Sequence, residues 1–188
     1  MEKKHAVIFF VLFLAIGAGI FARFWGLEKA LFWRDEPIHF IAAMKMNHHD
    51  YSLNPQDPRF WFLEHPQVAT LSMGFLTQFI PADYTEVILM DRNYVYFYVP
   101  FELIRQTFVS IRLMSAVFGL LVVLLVFLIA RDLWGFNAAL WSAALASLSV
   151  DFVAISRIAF TEIFLIGYFL LALLFYLKIL KTEKKNQK

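Results

Sequence analysis

Two adjacent carboxylates, Asp35 and Glu36, stand in the stretch Phe32-Trp33-Arg34-Asp35-Glu36-Pro37-Ile38-His39-Phe40, just after the first strongly apolar segment. A carboxylate at that point can take the proton of a hydroxyl nucleophile. It can equally be a helix cap, because Asp at an N-cap followed by Pro in the first turn is ordinary helix-start chemistry. Other ionisable groups recur near the expected membrane boundaries: Glu64 and His65, Arg112, Arg157 and Glu162. Arg binds phosphate through its forked donors and neutralises charge that develops on a leaving group. A carboxylate beside guanidinium groups therefore suits activation of a hydroxyl with departure of an anion. Taken singly, each residue has a plainer role. Arg112 and Arg157 can snorkel to lipid headgroups, and Glu162 can stabilise a helix start. Their arrival at one face favours a site. His39, His48, His49 and His65, with Glu64 and Asp57, offer metal ligands but no helical H-x-x-x-H spacing, so polar surface is the better reading. No Gly-rich phosphate loop or nucleophile elbow is present.

The elements that must position these groups are membrane helices. The uncharged run over 6–22 is about 17 residues, longer than the roughly 7–15 of a signal-peptide core, and spans about 25 Å. With Trp25 as an interfacial aromatic it reads as an uncleaved anchor over 6–24. A polar, Pro-broken stretch over 25–106 follows. It holds two amphipathic pieces, 36–46 and 67–79, which read as interfacial helices lying on the bilayer. Residues 94–99 are strand-like in composition, but a lone strand needs a partner, so that part reads as loop. Three more spans are expected over 108–130, 136–155 and 162–180, with a charged tail over 181–188. The fold class is thus an all-α integral membrane protein, a single module of four transmembrane helices with a long outer loop. Lys3, Lys4, Arg131 and the C-terminal lysines share one side, taken as cytoplasmic with both termini. Asp35, Arg112, Arg157 and Glu162 then share the other.

Composition agrees. The chain has 188 residues, 61% of them hydrophobic, against about 45–50% in an ordinary soluble domain. Lipid is the natural solvent for so much apolar surface. A net charge of +2 gives no case for nucleic acid. The absence of Cys removes disulfides and thiolate metal sites.

Five motifs, in order, resemble the type C superfamily of lipid-carrier-dependent glycosyltransferases, which includes the protein O-mannosyltransferases and the bacterial aminoarabinose lipid A transferases. Trp33-Arg34-Asp35-Glu36 resembles their first-loop acidic motif. Phe62-Leu63-Glu64-His65-Pro66 resembles the segment that reads His-Pro-Pro or Glu-Lys-Pro, although Gln67 replaces the second Pro. Ile111-Arg112-Leu113-Met114-Ser115 with Gly119 resembles the opening of the second helix. Arg131-Asp132-Leu133-Trp134-Gly135 resembles the first cytoplasmic turn. Ser156-Arg157-Ile158-Ala159-Phe160-Thr161-Glu162 resembles the second outer loop, with Glu where many members have Asp. The interval 81–106 is longer than in the aminoarabinose branch.

The resemblance implies a donor sugar, hexose or pentose, linked to polyprenyl or dolichyl phosphate. Transfer goes to an acceptor hydroxyl at the outer or lumenal face with inversion. By position it makes Asp35 the base, Glu36 an assistant on the acceptor side, and Arg157 the contact to the lipid phosphate. Arg112, Glu162 and His65 join the substrate site. Glu64 matches an acid associated with metal in the aminoarabinose branch, so a divalent metal is the one cofactor in view. Members of the superfamily have many more helices. The chain is therefore expected to be an N-terminal module, with membrane lipids and a second chain supplying the remaining helices as partners. The expected setting is the plasma membrane of a prokaryote. The alternative is a non-catalytic membrane scaffold that binds a partner protein or the lipid carrier. A transporter is the weakest reading, since no acid sits at a bilayer centre.

Overall fold

The computed structural model describes residues 3–29, 36, 72, 87–91, 94–97, 101–158 and 160–186. Its membrane body is all-α. Helix α1 is Lys3–Phe24, α2 is Phe101–Trp134, α3 is Phe136–Leu148, α4 is Val150–Arg157 and α5 is Thr161–Asn186. Ala6–Phe24, Val109–Trp134 and Thr161–Glu183 are each long and apolar enough to cross a membrane. Helix α3 has 13 residues, about 20 Å, and is too short to span alone. Joined to α4 it makes a fourth span, bent by 57°.

The sequence predicts one helix over 136–155, and the break at Ser149 is the main departure from it. Ser149 takes an extended conformation, φ −56° and ψ 120°. Its amide still donates to Leu145 O at 2.9 Å, closing α3, while its hydroxyl accepts from the Phe152 amide at 3.5 Å, opening α4. Asp151 lies in the first turn of α4, where the helix dipole favours an acid. Ser149 is thus the last cap of one helix and the first of the next.

Helix α2 is the hub: it packs against α1, α3, α4 and α5. Its inner face carries Val123, which meets Ala143 and Ala146 of α3, with Ile16 and Phe152 against them. The small side chains of α3 let the backbones come close, the usual means of helix association in lipid. A second cluster joins Leu125 and Ile129 of α2 to Leu174 of α5. Nearer the start of α5, Phe118 packs at a tilt of 46° against the buried Phe164, with ring centroids 4.5 Å apart.

One end of the bundle is marked by Phe9 beside Phe136, at 6.1 Å between centroids, and by Lys181 Nζ, 3.7 Å from Asp132 Oδ2. Lys181 is half exposed, so Lys181→Met is expected to change stability by no more than about 1 kcal/mol in thermal unfolding. At this end α2 and α3 are joined by Gly135 alone, with φ 89° and ψ 179°. Only Gly adopts that conformation without strain. Gly135→Ala is expected to cost about 1–3 kcal/mol, read as a lower unfolding temperature in detergent.

Outside the spans, β1 (Val87–Asp91) pairs antiparallel with β2 (Tyr94–Phe97), Val87 opposite Phe97 and Leu89 opposite Val95. This supplies the partner that the strand-like residues lacked, where the sequence reads as loop. The two expected interfacial helices lie outside the described residues except for Glu36 and Ser72, both helical. Ser72 is hydrogen-bonded to Tyr168 of α5 through their hydroxyls.

Candidate functional site

The end of the bundle opposite Phe9 and Asp132 gathers the polar groups. There α1 finishes, α2 enters its span, and α4 hands over to α5. Arg112 lies one turn inside the α2 span. Its Nε donates to Glu36 Oε1 at 2.8 Å and its Nη2 to Glu36 Oε2 at 2.6 Å. The third arm, Nη1, donates to Leu27 O at 2.9 Å. Arg112 is 2% exposed and Glu36 0%. This is the two-pronged geometry that a guanidinium makes and an ammonium cannot. Desolvating two charges is costly, so the pair persists because every prong is met. One residue of α2 therefore ties down both the turn after α1 and the helix turn carrying Glu36.

Arg157, in the last turn of α4, donates through Nη1 to Ala22 O of α1 at 2.6 Å. It is half-buried and lines a cavity of about 710 Å³ between α1 and the broken span, with Ala18, Ala22, Val153 and Ala154 among the walls. Glu162 is exposed in the first turn of α5 and forms no ion pair among the described residues. So the structure brings Glu36 and Arg112 into contact and sets Arg157 and Glu162 at the same end of the bundle. Asp35, Glu64 and His65 lie outside the described residues. Among the described residues no group of three His, Asp or Glu side chains could hold a metal ion.

The sequence reading passed over Arg23. It is fully buried. Its Nη1 donates to Gly19 O at 2.8 Å and to Ser147 O at 2.7 Å, and its Nη2 to Ala146 O at 3.3 Å. Its Nε, together with Ser115 Oγ, is buried without a hydrogen-bond partner among the described residues. Gly19 allows the approach: a Cβ there would overlap the backbone and hydroxyl of Ser147. An Arg closing an uncharged run reads as the boundary of a span. The cue that it is more lies far away, in Ser147, Ser149 and Asp151, polar residues inside the third span.

Chemically, this end offers a carboxylate locked by a guanidinium, a sequence-adjacent second carboxylate, and a separate guanidinium beside an apolar cavity. Residues 55–188 match the family model described as dolichyl-phosphate-mannose-protein mannosyltransferase. Neither a curated protein nor a solved structure matches the chain.

Proposed function

Because this chain belongs to the dolichyl-phosphate-mannose-protein mannosyltransferase family, a family of mannosyltransferase-like glycosyltransferases in the membrane, we propose that it carries one wall of a sugar-transfer site, with the base for the acceptor and a contact to the donor phosphate. The donor is a polyprenyl- or dolichyl-phosphate-linked sugar and the site faces the outer or lumenal side, with both termini cytoplasmic. Asp35 takes the proton of the acceptor hydroxyl. The oxygen attacks the anomeric carbon, and the bond from that carbon to the phosphate oxygen breaks, with inversion. The lipid phosphate leaves with the electron pair and its charge is met by Arg157.

The observation that carries this reading is the buried Glu36–Arg112 pair. Asp35 is bonded to a residue that cannot shift without stranding a charge. A general base held in that way needs little reorganisation when it acts. Glu36 then serves by orienting its neighbour, with Arg112 behind it. Glu162, at the helix start beside the α4–α5 turn, adds a second acid on the substrate side.

The test is transfer in native membranes, with a labelled polyprenyl-phosphate mannose and protein acceptors. Labelled product and free lipid phosphate are expected from the wild type, and neither above background from Asp35→Asn. Transfer by Asp35→Asn at the wild-type rate would remove the base from the scheme. Binding of the carrier without any transfer would favour the scaffold reading.

A further inference from the structure

We propose that Arg23 is a positioning residue: from α1 it caps the C-terminal end of α3, keeps the third span broken, and so sets where Arg157 stands. In a continuous helix the carbonyls of Ala146 and Ser147 would accept from the amides of Val150 and Asp151. The break at Ser149 releases both carbonyls at the depth of the bilayer, where no water is at hand to satisfy them. Arg23 takes them, Ser147 O with Nη1 and Ala146 O with Nη2. A cation at the negative end of a helix is also electrostatically favourable. The side chain is fully buried, so it is not reaching outward to headgroups. One guanidinium thus satisfies what the break exposes, and the break supplies an acceptor to each of its two Nη atoms.

The consequence falls on α4. It has 8 residues, about 12 Å, so straightening its 57° bend would carry its far end about 11 Å. That far end is Arg157, which now rests on Ala22 O. The cavity between α1 and the broken span is lined from both sides, by Gly19 and Ala22 of α1 and by Val150 and Val153 of α4, so moving α4 changes its shape. The role of Arg157 as phosphate contact belongs to the proposed function; the control of its position by Arg23 does not depend on it.

The chain has no Cys, so spin labels can be placed without background. Val7→Cys on α1 and Ala154→Cys on α4, both exposed, report the bend as a pulsed electron-spin distance in lipid nanodiscs. Arg23→Met is expected to shift that distance by several ångströms. Adding Val150→Pro should restore it. Pro at the first position of α4 has no amide to give Ala146 O, and it keeps Ser149 extended, as it already is. Arg23→Lys, a milder variant with a single point donor, should fall between. In the transfer assay, Arg23→Met should raise the KM for the lipid donor roughly tenfold or more, and Val150→Pro should reverse that. A distance unchanged in both Arg23→Lys and Arg23→Met, or a shift that Val150→Pro leaves in place, would overturn the proposal. If the wild type transfers no sugar, the reading of the site fails, and the distance arm still decides the role of Arg23.

Discussion

Glu36→Gln is expected to lower stability by about 3–5 kcal/mol, measured as reversible unfolding in mixed micelles. The substitution keeps shape and removes charge. Gln keeps one oxygen that can accept from Arg112, but its NH2 replaces the acceptor of the other prong and no carboxylate balances the buried guanidinium. A stranded interior charge costs far more than the pair is worth, because desolvation has already occurred. The double variant Glu36→Leu with Arg112→Met removes both charges at similar volume. It is expected to recover most of the loss. Recovery of stability without recovery of sugar transfer would separate the two contributions of the pair. It would mean that the ions are kept for the position they impose and not for stability.

Asp35→Asn gives the second large effect, and its pattern is the opposite. Loss of a general base lowers the chemical rate by about 10²–10⁴-fold, equivalent to roughly 3–5 kcal/mol in the barrier. The expected result is a fall in kcat with KM for the lipid donor close to that of the wild type, since the proposed scheme assigns the donor phosphate to Arg157 and not to Asp35. Unfolding should be little changed. Two neighbouring acids thus respond differently: one variant loses rate and keeps its fold, while the other loses both. If Asp35→Asn and Glu36→Gln instead lost stability equally, Asp35 would be a cap and not a base.

The helices and the shared end of Arg112, Arg157 and Glu162 were legible from hydropathy and the placement of charge, because a bilayer imposes one length and one polarity on every span. Arg112 stood out as a cation just inside an apolar run. Its partner did not, since choosing between Asp35 and Glu36 requires the direction in which each side chain points. The break at Ser149 was written in Ser149 and Asp151, a helix-start pair. The surrounding residues are apolar enough on both sides of Ser149 that a window of spanning length averages over the break. Arg23 was hidden for another reason. Its acceptors are backbone carbonyls of Ala146 and Ser147, and carbonyls have no letter in a sequence. The β hairpin was half legible: residues 94–97 looked like a strand, while Val87–Asp91, five residues with an irregular register after Leu89, gave no alternation to pair with them.

The bond from Arg23 to Ser147 O joins residues 124 positions apart, and that separation fixes an order of assembly. Helix α1 is synthesised first, with an unpaired cation near its C-terminal end. The third span follows α2, with two carbonyls open at its kink. Each segment carries what the other lacks, a cation on α1 and open carbonyls at the kink of the third span. Until they meet, the Arg23 side chain is held at the headgroups, where its charge is solvated. Docking draws it inward and closes the kink in the same step. The seat of Arg23 is thereby complete only when the third span has been synthesised. A chain halted before Ala146 would leave the Arg23 guanidinium with Gly19 O alone of its three carbonyl acceptors.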